Sequence, residues 1–167
     1  MTPIQFRLRT ACAADFPTLW EIDQLCFSDE IAYSQAELSW AMSEPEAITL
    51  VAELPQGKIA GFLVACRDRP RTGHIITIDV RPGFRGHGIG NALMQEVEQK
   101  FAMTGASRIR LEAAVDNLPA LQFYKGRGYR VVKVLPEYYP GPLDGLLLEK
   151  DNLGDAVATS PEMLSSR

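Results

Sequence analysis

The 167-residue chain is 46% hydrophobic and 23% charged, with a formal net charge of −4, an ordinary composition for a globular protein. Its length sets one domain that buries roughly 70% of the unfolded surface, and its acidic balance excludes a large cationic footprint for nucleic acid while suiting a positively charged acceptor. Apolar runs such as Gly61 to Cys66 are too short to span a bilayer, and residues 1–10 carry Arg7 and Arg9 without the apolar core of a secretory signal.

Ile4 to Arg9 alternates apolar and polar residues and predicts a strand. Asp15 opens a helix with Phe16, Leu19, Trp20, Ile22 and Phe27 on its apolar side and Pro17 in its first turn. Ser34 with Glu37 three residues later has the spacing of a capping box for a second helix. Ile48–Leu54 and Lys58–Cys66 are strands joined at Pro55-Gln56-Gly57, and Arg69–Gly73 turns the chain into a third, His74–Val80. The next helix puts Ile89, Leu93, Val97 and Phe101 on one stripe and stops at Gly105. Arg108–Ala114 alternates again as a strand. Asp116 or Asn117 caps a helix that ends at Gly126 or Gly128, and Tyr129–Leu135 and Leu146–Lys150 are the last strands. Residues 1–150 are thus expected to form one domain, and 151–167 a loose tail.

The junction between His74–Val80 and the following helix carries Gly86, Gly88 and Gly90. Glycines there let the backbone approach a ligand closely, with N–H groups outward and the helix dipole behind them, which makes a phosphate receptor. A P-loop is excluded because no Lys follows Gly90. A dinucleotide fingerprint fails because Asn91 stands where the third glycine belongs and Arg81 to Arg85 intervene after the strand. Glu112, ending the next strand about where a ribose-binding acid sits, is a decoy for that reading.

Val80, Pro82, Arg85, Gly86, Gly88, Ile89 and Gly90 spell V-x-P-x-x-R-G-x-G-I-G. This resembles the acetyl-coenzyme A pyrophosphate motif of the GCN5-related N-acetyltransferases. The resemblance implies that backbone N–H groups of Arg85, Gly86, His87, Gly88, Ile89, Gly90 and Asn91 bind the pyrophosphate, and that the backbone of Ile78, Asp79 and Val80 pairs with pantetheine. Leu111 to Tyr129 is similar to a second signature of the family, L-E-[VA]-x-x-x-N-x-x-A-x-x-[LF]-Y-x-x-x-G-[FY], in which Asn117 and Tyr124 share a helix face. Read alone, Asn117 is equally an N-cap and Tyr124 a core tyrosine on Leu121. The element order β-α-α-β-β-β-α-β-α-β-β matches the family over residues 4 to about 150. It implies an α+β fold with a mixed, mostly antiparallel sheet flanked by helices.

Within the family the chain most resembles the ribosomal-protein N-terminal alanine acetyltransferases. That resemblance makes Glu112 the proton acceptor, Tyr124 the proton donor that also meets coenzyme A, and Asn117 a coenzyme contact. It places Phe27 and Tyr33 in the acceptor loop, and Tyr138 and Tyr139 beside the acceptor. Ala32-Tyr33 replaces that group's Pro-Trp, Leu143-Asp144-Gly145 replaces Glu-Asp-Ala, and three prolines stiffen Pro136 to Pro142. All three departures concern the acceptor. The implied activity is transfer of acetyl from acetyl-CoA to a primary amine by direct attack, without metal, in the cytoplasm, by a monomer or homodimer with no nucleic-acid or membrane partner. The expected acceptor is a peptide or protein N-terminal α-amine; the alternatives are a small amine, or a silent module that only binds acyl-CoA.

Direct attack needs a neutral amine. An α-amine near pKa 8 is about 10% neutral at pH 7, whereas a lysine near 10.4 is disfavoured by roughly 4.6 kcal/mol. A carboxylate such as Glu112 helps the first and is needed more by the second. Tyr124 serves the leaving thiolate, and a backbone N–H near Val80 polarises the carbonyl. The three cysteines, Cys12, Cys26 and Cys66, show no C-x-x-C spacing and read as reduced thiols. His74 and His87 have no Cys or carboxylate at ligand spacing in the sequence and read as packing or solvent residues.

Overall fold

Local chemistry sets most element boundaries in the computed structural model, which describes residues 3–154. Strand β1 is Arg7–Thr10, followed by a short 3₁₀ turn at Ala13–Asp15. Pairing begins at Arg7 rather than Ile4 because Arg7 lies opposite Glu53, the last residue of β2 (Ile48–Glu53). Helix α1 is Phe16–Cys26, with Pro17 in its first turn and Phe27 already extended at its C-cap. Helix α2, Gln35–Ser43, has the predicted capping box: the Glu37 N–H donates to Ser34 Oγ at 3.1 Å and the Ser34 N–H to Glu37 Oε2 at 2.8 Å.

Strands β3 (Ile59–Arg69) and β4 (Thr72–Val80) run longer than the sequence suggests. The turn needs only Pro70 and Arg71 because Arg71 takes a positive φ of 62°. A 3₁₀ turn at Pro82–Phe84 leads into α3, Ile89–Met103. Strand β5 is Arg108–Ala114, α4 is Leu118–Gly126, β6 is Arg130–Tyr139 and β7 is Leu143–Asp151. Pro136 does not end β6 as expected. It sits where the β6–β7 register shifts, between Leu135 and Tyr139, on a strand at the end of the sheet order. An edge strand tolerates a missing N–H. Residues 155–167 of the expected loose tail lie outside the described residues.

The seven strands follow the order β1-β2-β3-β4-β5-β7-β6. Pairings β1–β2, β2–β3, β5–β7 and β6–β7 are antiparallel and β4–β5 is parallel. With four α-helices among the described residues this is the expected α+β fold with a mixed sheet. The parallel pair needs a crossover, and α3 supplies it.

Two compact units divide the chain. The first takes residues up to Cys66 together with Ile75–Val97, and the second takes Arg67–His74 with the chain from Glu98 onward. In the first, Leu19 and Ile22 of α1 and Leu38 and Ala41 of α2 cover Val51, Phe62 and Val64 of the sheet. In the second, Ile109, Leu111 and Leu148 are fully or almost fully buried. There the buried Glu98 carboxylate accepts from Arg127 at 2.6 Å, the Tyr129 hydroxyl at 2.8 Å and Lys150 at 3.3 Å. A buried acid so compensated ties α3, the segment between α4 and β6, and β7 together. Among the described residues no helix is long and apolar enough to cross a membrane.

Candidate active site

In the first unit, the glycine-bearing junction is shaped by backbone conformation. Gly86 and Gly88 take φ values of +80° and +85°, a region that β-substituted residues enter only with strain. An added Cβ at either position meets nothing within 4 Å, so the space before the loop is open. The α3 ladder starts with the Ala92 N–H on the Gly88 carbonyl at 3.0 Å. The N–H groups of Ile89, Gly90 and Asn91 precede that first rung, which is the donor array an anion meets at a helix N-terminus. Arg85 does not point its Nε at this array. It donates to the Val80 carbonyl at 3.0 Å and so braces the loop against the end of β4.

The β4 side chains alternate. Ile76, Ile78 and Val80 are half-buried on one face, while Ile75, Thr77 and Asp79 are buried on the other. Asp79 is 1% exposed, so only its backbone remains for a ligand on that strand. The Cys26 thiol donates to the Val80 carbonyl at 3.4 Å, and burial pushes its pKa up. A neutral, hydrogen-bonded thiol is a poor nucleophile. Tyr33, half-buried between α1 and α2, is held at several points: its N–H donates to Asp23 Oδ2 at 2.7 Å and its hydroxyl to the Ile76 carbonyl at 3.3 Å. Its own carbonyl accepts from Trp20 Nε1 at 3.0 Å and Gln24 Nε2 at 2.8 Å.

The second unit gathers polar side chains on β4 and β5. His74 lies opposite Arg110 in the parallel register, and Glu112 is the next residue on the same face of β5. His74 Nε2 is 2.8 Å and 3.0 Å from the two Glu112 carboxyl oxygens. An ionised carboxylate only accepts, so Nε2 carries the hydrogen. Arg110 Nη1 donates to Glu112 Oε1 at 3.3 Å and its other nitrogens to Asp68, whose carboxyl also lies 3.9 Å from His74 Nδ1. The Glu112 side chain is 9% exposed. The Tyr138 phenol is raised by burial, then by the charge and hydrogen bonding of Glu112, and stacks edge-on with Tyr139 at 4.9 Å.

This overturns the assignment of His74 to packing or solvent. Its partner is 38 residues away, and only strand register brings the two together. Asn117 is the N-cap of α4, with its Oδ1 accepting the Ala120 N–H at 3.3 Å. Tyr124, seven residues on, is 8% exposed and packs edge-on against Phe123 and Tyr129. Asn117 is thus an N-cap and Tyr124 a core tyrosine, whatever else the side chains do. Phe27 and Tyr33 belong to the first unit, Tyr138 and Tyr139 to the second. Among the described residues no group of three or more His, Cys, Asp or Glu is arranged to hold a metal ion.

Residues 16–129 match the acetyltransferase (GNAT) family. The chain belongs to that family. It is 33% identical over 144 residues to an uncharacterised N-acetyltransferase of Methanocaldococcus jannaschii, covering 86% of this chain and 90% of the relative. It is 29% identical over 156 residues to an N-alpha-acetyltransferase of Sulfurisphaera tokodaii, covering 86% and 92% of the two chains. The crystal structure of the ribosomal-protein-S18-alanine N-acetyltransferase from Escherichia coli shares the fold, with a TM-score of 0.80 at 18% identity over 89% of this chain and 94% of that one. The protein is an acetyltransferase of the GNAT fold.

Proposed function

We propose that the protein transfers acetyl from acetyl-CoA to the α-amine of a peptide or protein N-terminus in the cytoplasm. The observation that carries the reading is Glu112, almost enclosed and fixed by His74 and Arg110, in register with the second family signature, which also carries Tyr124. The likeness to an N-alpha-acetyltransferase supports the acceptor class.

The residues fit the coenzyme. Gly86 and Gly88 leave open space beside N–H groups at the start of α3, which suits a pyrophosphate. Backbone of Ile78, Asp79 and Val80 is assigned to the pantetheine arm, and the family resemblance makes Asn117 a coenzyme contact. Acetyl-CoA supplies the acetyl thioester. A backbone N–H near Val80 polarises the acetyl carbonyl as negative charge develops on its oxygen. Glu112 takes the proton that the amine sheds on acylation, directly or through one water, while His74 and Arg110 hold its carboxyl in place. The Tyr124 hydroxyl donates to the departing sulfur as the carbon–sulfur bond breaks. The family resemblance assigns Phe27 and Tyr33 of the first unit to the acceptor, and does the same for Tyr138 and Tyr139 of the second. Asp68 and Glu112 add negative charge that favours a cationic terminus on approach.

Incubation with acetyl-CoA and a panel of short peptides, followed by free-thiol release, tests the reading. Thiol release that depends on a free peptide N-terminus is expected. Turnover with free polyamines and none with peptides moves the acceptor to small amines, and no turnover with either class contradicts catalysis.

A further inference from the structure

Asp23 on α1 and Asp79 on β4 are 0% and 1% exposed. The structure accounts for one oxygen of each: Asp23 Oδ2 accepts the Tyr33 N–H at 2.7 Å, and Asp79 Oδ1 accepts the Thr77 hydroxyl at 2.6 Å. Asp23 Oδ1 and Asp79 Oδ2 are both buried and, among the described residues, meet no donor. Two buried carboxylate oxygens left in this state are strongly unfavourable. The two carboxyls lie within hydrogen-bonding reach of each other, and a single hydrogen placed between them satisfies both at once.

We propose that Asp23 and Asp79 share one proton and act together as positioning residues that fix the Tyr33 peptide of the acceptor loop. Trp20, Asp23 and Gln24 lie on one face of α1, and between them they hold both the N–H and the carbonyl of Tyr33. Asp79 ties that face to the strand assigned to pantetheine. The groups facing the pair are Thr77 on β4, Cys26 on α1, Glu37 on α2 and Arg85 in the glycine loop. Arg85 is the cation among them, and its Nε is directed at the Val80 carbonyl. Burial and the Asp23 carboxyl hold the Asp79 carboxyl well above the usual range, and burial raises the Asp23 carboxyl as well, so the folded pair retains one proton between them. The meaning given to the loop rests on the acetyltransferase reading; the shared proton does not.

The sign of the linkage follows. A carboxyl whose pKa is raised by folding contributes fully below about pH 3.9, and that contribution is lost as pH rises through the folded-state value. Above pH 4 the wild type therefore releases a proton on unfolding that Asp79→Asn does not. The ratio of their unfolding constants, wild type over variant, should rise about tenfold per pH unit until the folded pair ionises. A ratio independent of pH between 5 and 7 overturns the shared proton. So does an infrared spectrum of the folded wild type at pH 7 without the carbonyl band of an un-ionised carboxyl, a measurement that needs no variant to fold. For positioning, Asp23→Ala should raise peptide KM about tenfold with acetyl-CoA affinity unchanged, and Asp23→Asn, which still accepts the Tyr33 N–H, should restore it. Equal losses of acetyl-CoA and peptide affinity overturn the positioning role. A wild type that acetylates no peptide overturns the functional reading instead, and leaves the proton measurements to judge the pair.

Discussion

The glycine junction and the β4–β5 polar cluster build their chemistry in opposite ways. At Gly86 to Asn91 the backbone shapes the site proposed for the coenzyme, and Gly86 and Gly88 leave open space there. On β5 the backbone is an ordinary strand, and the side chains make the cluster: His74 of β4 reaches Glu112, and Arg110 of β5 reaches Asp68 of β3. The first region should fail through conformation and the second through the loss of single atoms. Their responses to mutation should therefore separate into binding and turnover.

The largest effect is expected at Gly88. Valine there is strained at a φ of +85° and fills the open space before the loop, so acetyl-CoA affinity should fall at least a hundredfold by calorimetry. Undiminished affinity removes the coenzyme from this loop. Tyr124→Phe keeps the edge-on packing with Phe123 and Tyr129 and deletes one proton. Its kcat should fall about a hundredfold with acetyl-CoA affinity nearly unchanged; a loss confined to coenzyme affinity makes Tyr124 a packing residue alone.

Glu112→Gln sharpens the contrast through pH. With an α-amine acceptor, kcat/KM should drop strongly near pH 7, and the deficit should shrink as pH rises through about 8, where the amine loses its proton unaided. A pH-independent deficit means that Glu112 orients the acceptor without taking its proton. The smallest effect belongs to His74, which touches Glu112 and is assigned no reacting atom. His74→Phe should lower kcat by about tenfold while leaving acetyl-CoA affinity intact, and an unchanged kcat would show that Arg110 alone holds the carboxylate.

The same contrast explains what could be read in advance. Backbone chemistry is written locally. The spacing of Gly86 and Gly88 after Val80, the Ser34–Glu37 capping box and the Asn117 cap were all legible because each acts within a few residues. The succession of seven strands along the chain followed from hydrophobic alternation and turn residues. His74 was not legible, because its role depends on the parallel register that sets it opposite Arg110. The Asp23–Asp79 pair was hidden for the same reason: an aspartate in a helix and one in a strand look solvent-facing until packing buries both. The length of β6 escaped because Pro136 ends a central strand but not an edge strand.

The central claim is that the acetyl group goes to a terminal α-amine. The most direct test offers the protein one peptide bearing both a free N-terminus and an internal lysine, with acetyl-CoA, and locates the acetyl group by fragment-ion mass spectrometry. Acetyl on the α-amine, and no product from the same peptide with its N-terminus blocked, is the predicted result. Acetyl on the lysine side chain, with the blocked peptide modified equally well, would contradict it.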